Sequence, residues 1–491
     1  MQRLRLIVSR LWGRVGATPD MPFNGRSILF AILAAAFLLR LGMALRLPTI
    51  HYADEVFQVS EPANRSINGF GILSWEFQAR ARPAILPTLV EPIYRLHVSA
   101  TAHRVLQASL LSALSLIPVW VAFAWAGRLY GLRGAVIASG MMATWFELVY
   151  FAPKPLPDVV ASYLLIGALF LARPLSSRRS LVLAGCALSL TLAIRLQIAP
   201  AVAIAFVLAL AAAGRARIGA LLSGAALGLC LAGIVEYAWW GSFFQGQLGY
   251  LRLEFVDHAS SYFAREPITF YVKQYILMLG PAAPIVALLV WIGGRRAPVL
   301  LVTMLAVVVP FHFIGHKEYR FVVAAAPISV LLMGLAAADL VARLEASAQR
   351  RATLVLFGTW MVAMAAVCYG DYYRPLWTRY GNHVLAFEEV GRDAQACGVA
   401  LVGIRWYHTP GQSGIGRDVP IYEVTSDDQR DDRMRAANYF LMGTKQPPPP
   451  APYVQVREYG RPSESLYRRP GECVPDPASR IERPNSGMER R

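Results

Sequence analysis

Two stretches of the sequence carry residue types that can do chemistry. The first, HYADEVFQVSEPANRSINGFGILSWEFQ at 51–78, interleaves the carboxylates Asp54, Glu55 and Glu76 with aromatic side chains such as Trp75. Polar and aromatic groups combined in a loop are typical of a binding surface for a sugar ring, and the same rings also suit a membrane interface. The stretch therefore predicts either a sugar-binding surface or an interfacial helix whose acids simply face water.

The second stretch is FIGHKEYRF at 313–321, which groups His316, Lys317 and Arg320. If a helix begins near these residues, His316 and Arg320 lie one turn apart and the cations converge on one side. Such a cluster suits a phosphate group, for which arginine and lysine are commonly used. The alternative is an interfacial anchor that reaches the lipid headgroups, but an anchor does not require Glu318 among the cations.

Two shorter features accompany these stretches. KPLPDVV places Lys154 and Asp158 in a tight turn, where Asp158 either binds substrate or only caps the next helix. Arg195 stands at the end of an apolar segment with Gln197 close by. An ionisable residue in that place is a functional candidate by default, and its alternative is simple snorkelling to the headgroups.

The elements that must position these groups are membrane spans. Of the 491 residues, 56% are hydrophobic and only 16% are charged, which predicts an all-α polytopic membrane protein. A span needs about 20 apolar residues, and fewer where protein shields it. The first run lacks a signal-peptide cleavage pattern and is interpreted as a retained helix. About eleven transmembrane helices are predicted, at 27–47, 104–126, 134–152, 158–172, 180–195, 199–213, 217–238, 269–292, 298–314, 320–341 and 352–369.

Arginine collects in alternate gaps between the apolar runs, and by the positive-inside rule those gaps are cytoplasmic. Dividing 180–213 into two spans keeps this alternation unbroken. The opposite gaps, including 48–103, 153–157, 196–198, 315–319 and everything after 369, then face outward with all the candidate groups. The same arginines account for the formal charge of +17, so we expect no nucleic-acid partner.

The tail has a pattern of its own. An amphipathic stretch at 383–398 and four short β-type runs predict a small extracytoplasmic α/β domain. The predicted division is a catalytic transmembrane body at 1–370, this domain at 371–473 and a disordered tail at 474–491. Cys397 and Cys473 are the only cysteines outside the apolar runs, so we expect them to form a disulfide in an oxidising compartment. The tail either shapes an acceptor site or merely caps the body.

Three motifs resemble those of one enzyme family. HYADEVFQ is similar to an H-x-D-E-x-F-Q stretch, GFGILSWEF to G-x-G-x-x-[ST]-W-E, and HKEYRF to H-K-E-x-R-F. Together, over roughly 25–325, they resemble the lipid-phosphate-mannose-dependent mannosyltransferases of glycosyltransferase family 22, which act in GPI-anchor and N-glycan assembly and have bacterial relatives. KPLPD and RLQ depart from the family pattern, and the tail after 370 carries no family motif.

The resemblance implies a GT-C glycosyltransferase fold and an inverting transfer of mannose from a polyprenyl-phosphate donor to a glycan or glycolipid acceptor at the membrane. Asp54 takes the family's position for the general base, with Glu55 as second choice, and no metal or cofactor is required. The donor phosphate is assigned to His316, Lys317, Arg320 and Arg195. The residues assigned to substrate binding are His51, Gln58, Trp75, Glu76, Lys154, Asp158, Gln197 and Glu318.

Two rival functions remain. A transporter of a lipid-linked sugar would also have many spans, although transporters typically show internal repeats and sites at the bilayer midplane, whereas these charges gather at one rim. A GT-C transferase for another lipid-linked sugar is the second rival. The Ala/Arg-rich composition favours a bacterial inner membrane with the active site facing the periplasm.

Overall fold

The computed structural model describes residues 11–12, 23–262, 264–424, 428–444, 446–460 and 464–484. The chain forms two compact units. The first comprises Met1–Met43 and Ser109–Arg374, and the second comprises Ala44–Ala108 and Pro375–Arg491. The loop at 48–103 therefore belongs to the same compact unit as the carboxyl-terminal domain.

The first unit is a helical membrane body. Seven helical segments among the described residues are long and apolar enough to cross a membrane: 25–46, 100–144, 196–213, 215–240, 270–296, 319–342 and 346–369. The α-helices that build or enter this unit are Phe23–Arg46, Ala100–Leu114, Leu116–Thr144, Phe146–Phe151, Pro157–Leu171, Arg178–Ile194, Ala199–Ala213, Ile218–Trp240, Gln245–Phe255, Phe270–Leu279, Ala283–Arg296, Pro298–Phe313, Ala326–Ala342 and Ala346–Tyr369. Short 3-10 helices join them at Leu196–Ile198, Arg215–Arg217, Ala259–Tyr262, Gly280–Ala282 and Tyr319–Ala325.

Each of the eleven predicted spans overlaps one or more helices of the described chain, with shifted boundaries. The spans predicted at 104–126 and 134–152 form one long helical stretch with a kink at Gly131, whose φ of 69° glycine adopts readily. That stretch breaks at Trp145. The predicted division of 180–213 is seen as two separate helices, because the backbone becomes extended at Arg195 between them.

Small residues allow two of these helices to pack closely. A Cβ atom at Gly185 would collide with the carbonyl oxygen of Leu221, and one at Gly224 would collide with that of Val182. The helices Arg178–Ile194 and Ile218–Trp240 therefore approach backbone to backbone, as helices in membranes commonly do. This contact fixes the helix whose carboxyl-terminal end carries Arg195.

The second unit combines a five-stranded sheet with helices. The strands are β1 (Val399–Val402), β2 (Ile421–Val424), β3 (Tyr439–Met442), β4 (Val454–Tyr459) and β5 (Glu464–Arg468), in the spatial order β2-β1-β3-β5-β4. β1 pairs in parallel with β2 and β3, while β5 pairs antiparallel with β3 and β4. The four predicted β-type runs are confirmed, and β5 is a strand that the sequence pattern missed.

Helices of the second unit come from both parts of the chain. They are Ala53–Glu55, the π-helix Val56–Ser60, Glu61–Asn68, Trp75–Gln78, Ile85–Tyr94, Gly381–Arg392 and Asp428–Ala436, with 3-10 turns at Leu376–Thr378, Trp406–His408, Gln412–Gly414 and Pro477–Ser479. Phe57 and Ile72 share one apolar cluster with Phe387, Val399 and Leu401. The loop and the sheet therefore fold around a common core.

Part of the predicted disordered tail is ordered. Glu482 accepts a hydrogen bond from the Leu73 amide and forms an ion pair with Arg65 at 2.9 Å. The Ile481 amide donates to the carbonyl of Ile421 beside β2. Residues 474–484 thus follow a defined path because backbone and charged groups of the loop bind them, and residues 485–491 lie outside the described part. The predicted disulfide between Cys397 and Cys473 is confirmed.

Candidate active site

Asp54 and Glu55 stand together at the start of a helix but face different surroundings. Tyr52 is extended (φ −121°, ψ 142°) and the chain turns helical at Ala53. One carboxylate oxygen of Glu55 accepts hydrogen bonds from the amides of His51 and Tyr52, both at 3.0 Å. Glu55 is buried in this capping interaction, whereas Asp54 is partly exposed.

The side chains of Asp54 and Glu55 point in different directions, but not because the loop is extended as predicted. The sequence suggests a locally extended loop, yet Ala53–Glu55 is helical. Successive residues of a helix point about 100° apart, so Glu55 turns inward while Asp54 keeps access to solvent. This geometry leaves Asp54 as the accessible acid and gives Glu55 a capping role.

A polar network lies one turn further along, in an unusual stretch of helix. Val56–Ser60 forms a π-helix, a conformation that occurs frequently at functional sites. Gln58 donates to Glu76 at 3.3 Å, and Arg82 pairs with the same carboxylate at 3.4 Å. The predicted residues Gln58 and Glu76 are therefore in contact, and Arg82 joins them although the sequence did not single it out.

Glu61 ties this helix to the carboxyl-terminal domain. One of its carboxylate oxygens accepts from the amide of Ile72 and the other from the amide of Ser413, 352 positions away. Burial raises the pKa of Glu61, and the donated hydrogen bonds lower it only in part. A Cβ atom at Gly411 would collide with this carboxylate, so the loop at 409–414 requires glycine there. The sequence pattern at 51–78 indicates no particular role for Glu61.

In the first unit Asp158 and Arg195 form a buried ion pair. The Arg195 Nε donates to the Asp158 Oδ1 at 2.7 Å, and their side chains are only 6% and 2% exposed. Helix Pro157–Leu171 has Leu156 at its N-cap, so Asp158 lies inside the first turn, and its carboxylate accepts from Arg195. The interpretation of Asp158 as the N-cap residue is therefore wrong, because Leu156 occupies that position.

The segment 316–320 is organised by its one acid. Glu318 accepts hydrogen bonds from the His316 ring and from the Arg320 Nη2, both at 3.1 Å. The Arg320 Nε lies 2.8 Å from the other carboxylate oxygen as an ion pair. Burial raises the pKa of Glu318, but the positive charge of Arg320 and the His316 contact outweigh it and bring the pKa to about 2. The predicted helical spacing is wrong: Glu318 is extended, and a 3-10 helix begins only at Tyr319.

Phe321 brings the separate cations of the first unit to one place. The guanidinium carbons of Arg195 and Arg320 lie 5.8 Å and 5.6 Å from the centre of its ring. The His316 ring lies 5.6 Å away, edge to face. A single aromatic ring is therefore surrounded by Arg195, His316 and Arg320. In the sequence, the only sign of this grouping is the phenylalanine of the HKEYRF motif.

Other predicted residues of this unit have different partners. The Lys317 ammonium donates to the carbonyl oxygens of Glu266 and Ile314. Lys154 lies 4.8 Å from the ring centre of Tyr150. Gln197 donates to the Tyr250 hydroxyl at 2.6 Å. A phosphate role for Lys317 would have to use its third N–H.

A buried acid stands behind the cationic segment and was missed by the sequence analysis. Glu147 accepts hydrogen bonds from the Trp145 indole at 3.1 Å and from the Tyr319 hydroxyl. Tyr319 is the residue directly before Arg320, so Glu147 supports the backbone that carries the guanidinium. The sequence could have indicated Glu147 as a candidate, because it is an acidic residue inside an apolar run.

These features are those of a polytopic membrane protein with the GT-C fold. ArnT from Cupriavidus metallidurans, solved bound to undecaprenyl phosphate, matches with a TM-score of 0.59 over 93% of this chain and 100% of that one. Its sequence identity is 12%, so the likeness establishes the fold alone.

The chain belongs to the Alg9-like mannosyltransferase family, whose model matches residues 30–415. GPI mannosyltransferase 3 of Yarrowia lipolytica is 25% identical over 82% of this chain and 78% of its own length. GPI alpha-1,2-mannosyltransferase 3 of Mus musculus is 24% identical over 65% of this chain and 59% of its own. The family assigned from three short motifs is thereby confirmed.

Proposed function

We propose that this membrane mannosyltransferase moves mannose, with inversion, from a polyprenyl-phosphate donor to a hydroxyl of a glycan or glycolipid at the outer face of the membrane. The observation that carries the proposal is the convergence of Arg195, His316 and Arg320 around the ring of Phe321, a cluster suited to a phosphate. Asp54, in the HYADEVFQ motif, is the accessible acid assigned to the same reaction. Family membership supports mannose as the sugar.

Asp54 is the general base of the proposed reaction. The acceptor oxygen attacks the anomeric carbon of mannose, the bond from that carbon to the phosphate oxygen breaks, and the acceptor proton passes to the Asp54 carboxylate. The products are the mannosylated acceptor and the polyprenyl phosphate. One accessible carboxylate suffices for such an inversion, and Glu55 is already engaged by two backbone amides.

The leaving group is a lipid phosphate, and its developing charge needs stabilisation more than protonation. Arg195, His316 and Arg320 are assigned to that task, with Lys317 as a further contributor and Glu318 as the acid that orients the cluster. His51, Gln58, Trp75 and Glu76 are assigned to sugar contacts beside the base. The remaining assignments to substrate binding in the membrane body are Lys154, Asp158 and Gln197.

The outer face is supported by the arginine distribution and by the disulfide of the carboxyl-terminal domain, because disulfides persist in oxidising compartments. Reporter fusions at about positions 175, 215 and 295 should be cytoplasmic, and one at about 400 should be external. A cytoplasmic carboxyl-terminal domain would overturn the placement of the reaction. A bacterial inner membrane with a periplasmic active site is the setting that the composition favours.

Purified full-length protein tested with polyprenyl phosphates carrying mannose, glucose or arabinose decides the donor. Transfer of radiolabelled mannose alone to a total glycolipid extract supports the proposal. Transfer of another sugar would indicate a different GT-C activity. Movement of the lipid-linked sugar across vesicle membranes without any transfer would indicate a transporter instead.

A further inference from the structure

A row of aromatic rings in the carboxyl-terminal domain lies against the helix that carries Asp54. Trp406, Tyr407 and His408 form a 3-10 turn, and Tyr380 stacks on His408 with ring centres 4.2 Å apart and planes 16° apart. Tyr407 meets His408 edge to face at 4.5 Å. We call these four residues the aromatic platform.

The platform is joined to the Asp54 helix from two sides. Phe57, three positions after Asp54, meets the Trp406 ring edge to face at 4.8 Å. Before Asp54, the Ile50 amide donates to the Arg379 carbonyl at 3.0 Å, and Gly381 approaches the Pro48 carbonyl so closely that a Cβ atom would collide with it. All these contacts lie within one compact unit.

The rings of the platform differ in their exposure to solvent. Trp406 and Tyr380 are half-buried against the common core. Tyr407 is 40% exposed, and its ring packs edge to face on His408. The platform thus offers one exposed ring, Tyr407, that packs on the rings of Trp406 and His408.

The polar groups around the rings suit hydroxylated ligands. Burial lowers the pKa of His408 to about 4, and the nearby charges of Arg379 and Arg405 act in the same direction. The imidazole is therefore neutral at physiological pH, so one ring nitrogen donates and the other accepts. Arg405 is held by Glu423 at 2.7 Å, which neutralises part of its charge at the rim.

The geometry points to the aromatic platform as the binding site for the acceptor saccharide, with the apolar face of a sugar ring packed on Tyr407. Aromatic rings supply large apolar contact area, and their polar edges and neighbours fix orientation. The contacts of Phe57 with Trp406 and of Ile50 with Arg379 attach the platform to the segment that carries Asp54, the proposed base for the acceptor hydroxyl. The inference rests on the proposed function for the identity of the saccharide as acceptor.

Saturation-transfer NMR on the full-length protein tests the site without requiring turnover. The probes are methyl α-D-mannopyranoside and octyl α-D-mannopyranoside, with saturation applied to the aromatic protons of the protein. The expected result is transfer to the sugar ring protons of both probes. It should fall at least about fivefold in Tyr407→Ala and survive in Tyr407→Phe, since the phenyl ring keeps the apolar contact.

Tyr369→Ala is the matched control, because Tyr369 is a 79% exposed tyrosine of the other unit. Equal signals in Tyr407→Ala and Tyr369→Ala, or no sugar signal from either probe, would overturn the site. Saturation confined to the octyl chain would overturn it too and identify a membrane-facing surface. If the NMR result is as expected but the proposed mannosyl transfer is not observed, saccharide binding at the platform is supported and its role as the acceptor site is contradicted.

Discussion

The Nε of Arg195 lies 2.7 Å from the Oδ1 of Asp158, and both side chains are almost completely buried. The two residues are 37 positions apart, at the start of one helix and just past the end of another. An ion pair so shielded from water is expensive to break from one side, because the remaining charge keeps its desolvation cost. Substitution of one or both residues can therefore distinguish a structural role of the ion pair from a role in substrate binding.

Asp158→Asn should destabilise the protein by about 3–5 kcal/mol, measured as a lower thermal midpoint in detergent. The double variant Asp158→Leu/Arg195→Met should recover most of that stability, because well-packed apolar residues replace buried pairs at little cost. If Arg195 also binds the donor phosphate, the double variant recovers stability without recovering transfer. Full recovery of transfer would leave Arg195 with a structural role only.

Asp54→Asn should lower turnover by ~10²–10⁴-fold while donor binding persists, because the amide keeps the shape but accepts no proton. Single-turnover transfer and donor binding are the two measurements. Asp257→Asn, which changes an exposed acid of the other unit, is the control. Near-normal transfer by folded Asp54→Asn, combined with loss of transfer in Glu55→Gln, would move the base to Glu55.

Arg320→Ala should weaken donor binding by about 10- to 100-fold, the worth of a hydrogen bond to a charged group. Arg320→Lys should restore only part of it, since an ammonium lacks the bidentate fork. Isothermal titration with polyprenyl-phosphate mannose measures both, with exposed Arg252→Ala as the control. Unchanged donor affinity in Arg320→Ala would remove Arg320 from the phosphate site.

Glu318 should make the free energy of unfolding depend on pH in the acidic range. Its pKa of about 2 lies below the value of about 4.3 for an unperturbed glutamate, so its contribution is present above the unfolded pKa and is lost as pH falls through about 2. The wild type should lose more stability than Glu318→Gln between about pH 4 and 2. Glu472→Gln, at an exposed position, should follow the wild type; identical slopes for all three would contradict the Arg320–Glu318–His316 arrangement.

The disulfide between Cys397 and Cys473 should stabilise the second unit by about 2–5 kcal/mol. Cys397→Ser/Cys473→Ser should lower the thermal midpoint of the carboxyl-terminal domain, whereas Cys230→Ser, at an exposed free cysteine, should not. A thiol count under non-reducing, denaturing conditions should find three reactive groups, Cys186, Cys230 and Cys368. Five reactive thiols would show that the bond is absent.

Local patterns in the sequence determined the membrane spans, four of the five strands and the family. Hydropathy and β-type alternation act over a few neighbouring residues, so they are visible without a fold. The break at Arg195 was predictable for the same reason, because only two short spans keep the arginines in alternate gaps. Three short motifs sufficed for the family because their order and residue types are specific together.

Tertiary structure alone decided which groups meet. Glu61 accepts from Ser413 across 352 positions, and no local pattern indicates such a pair. Glu318 binds His316 and Arg320, and both of these side chains and Arg195 lie near the Phe321 ring. The helical spacing predicted for 316–320 was wrong, because Glu318 is extended. The loop at 48–103 and the carboxyl-terminal domain form one unit because apolar residues distant in sequence bury each other, a free-energy gain that depends on the folded chain as a whole.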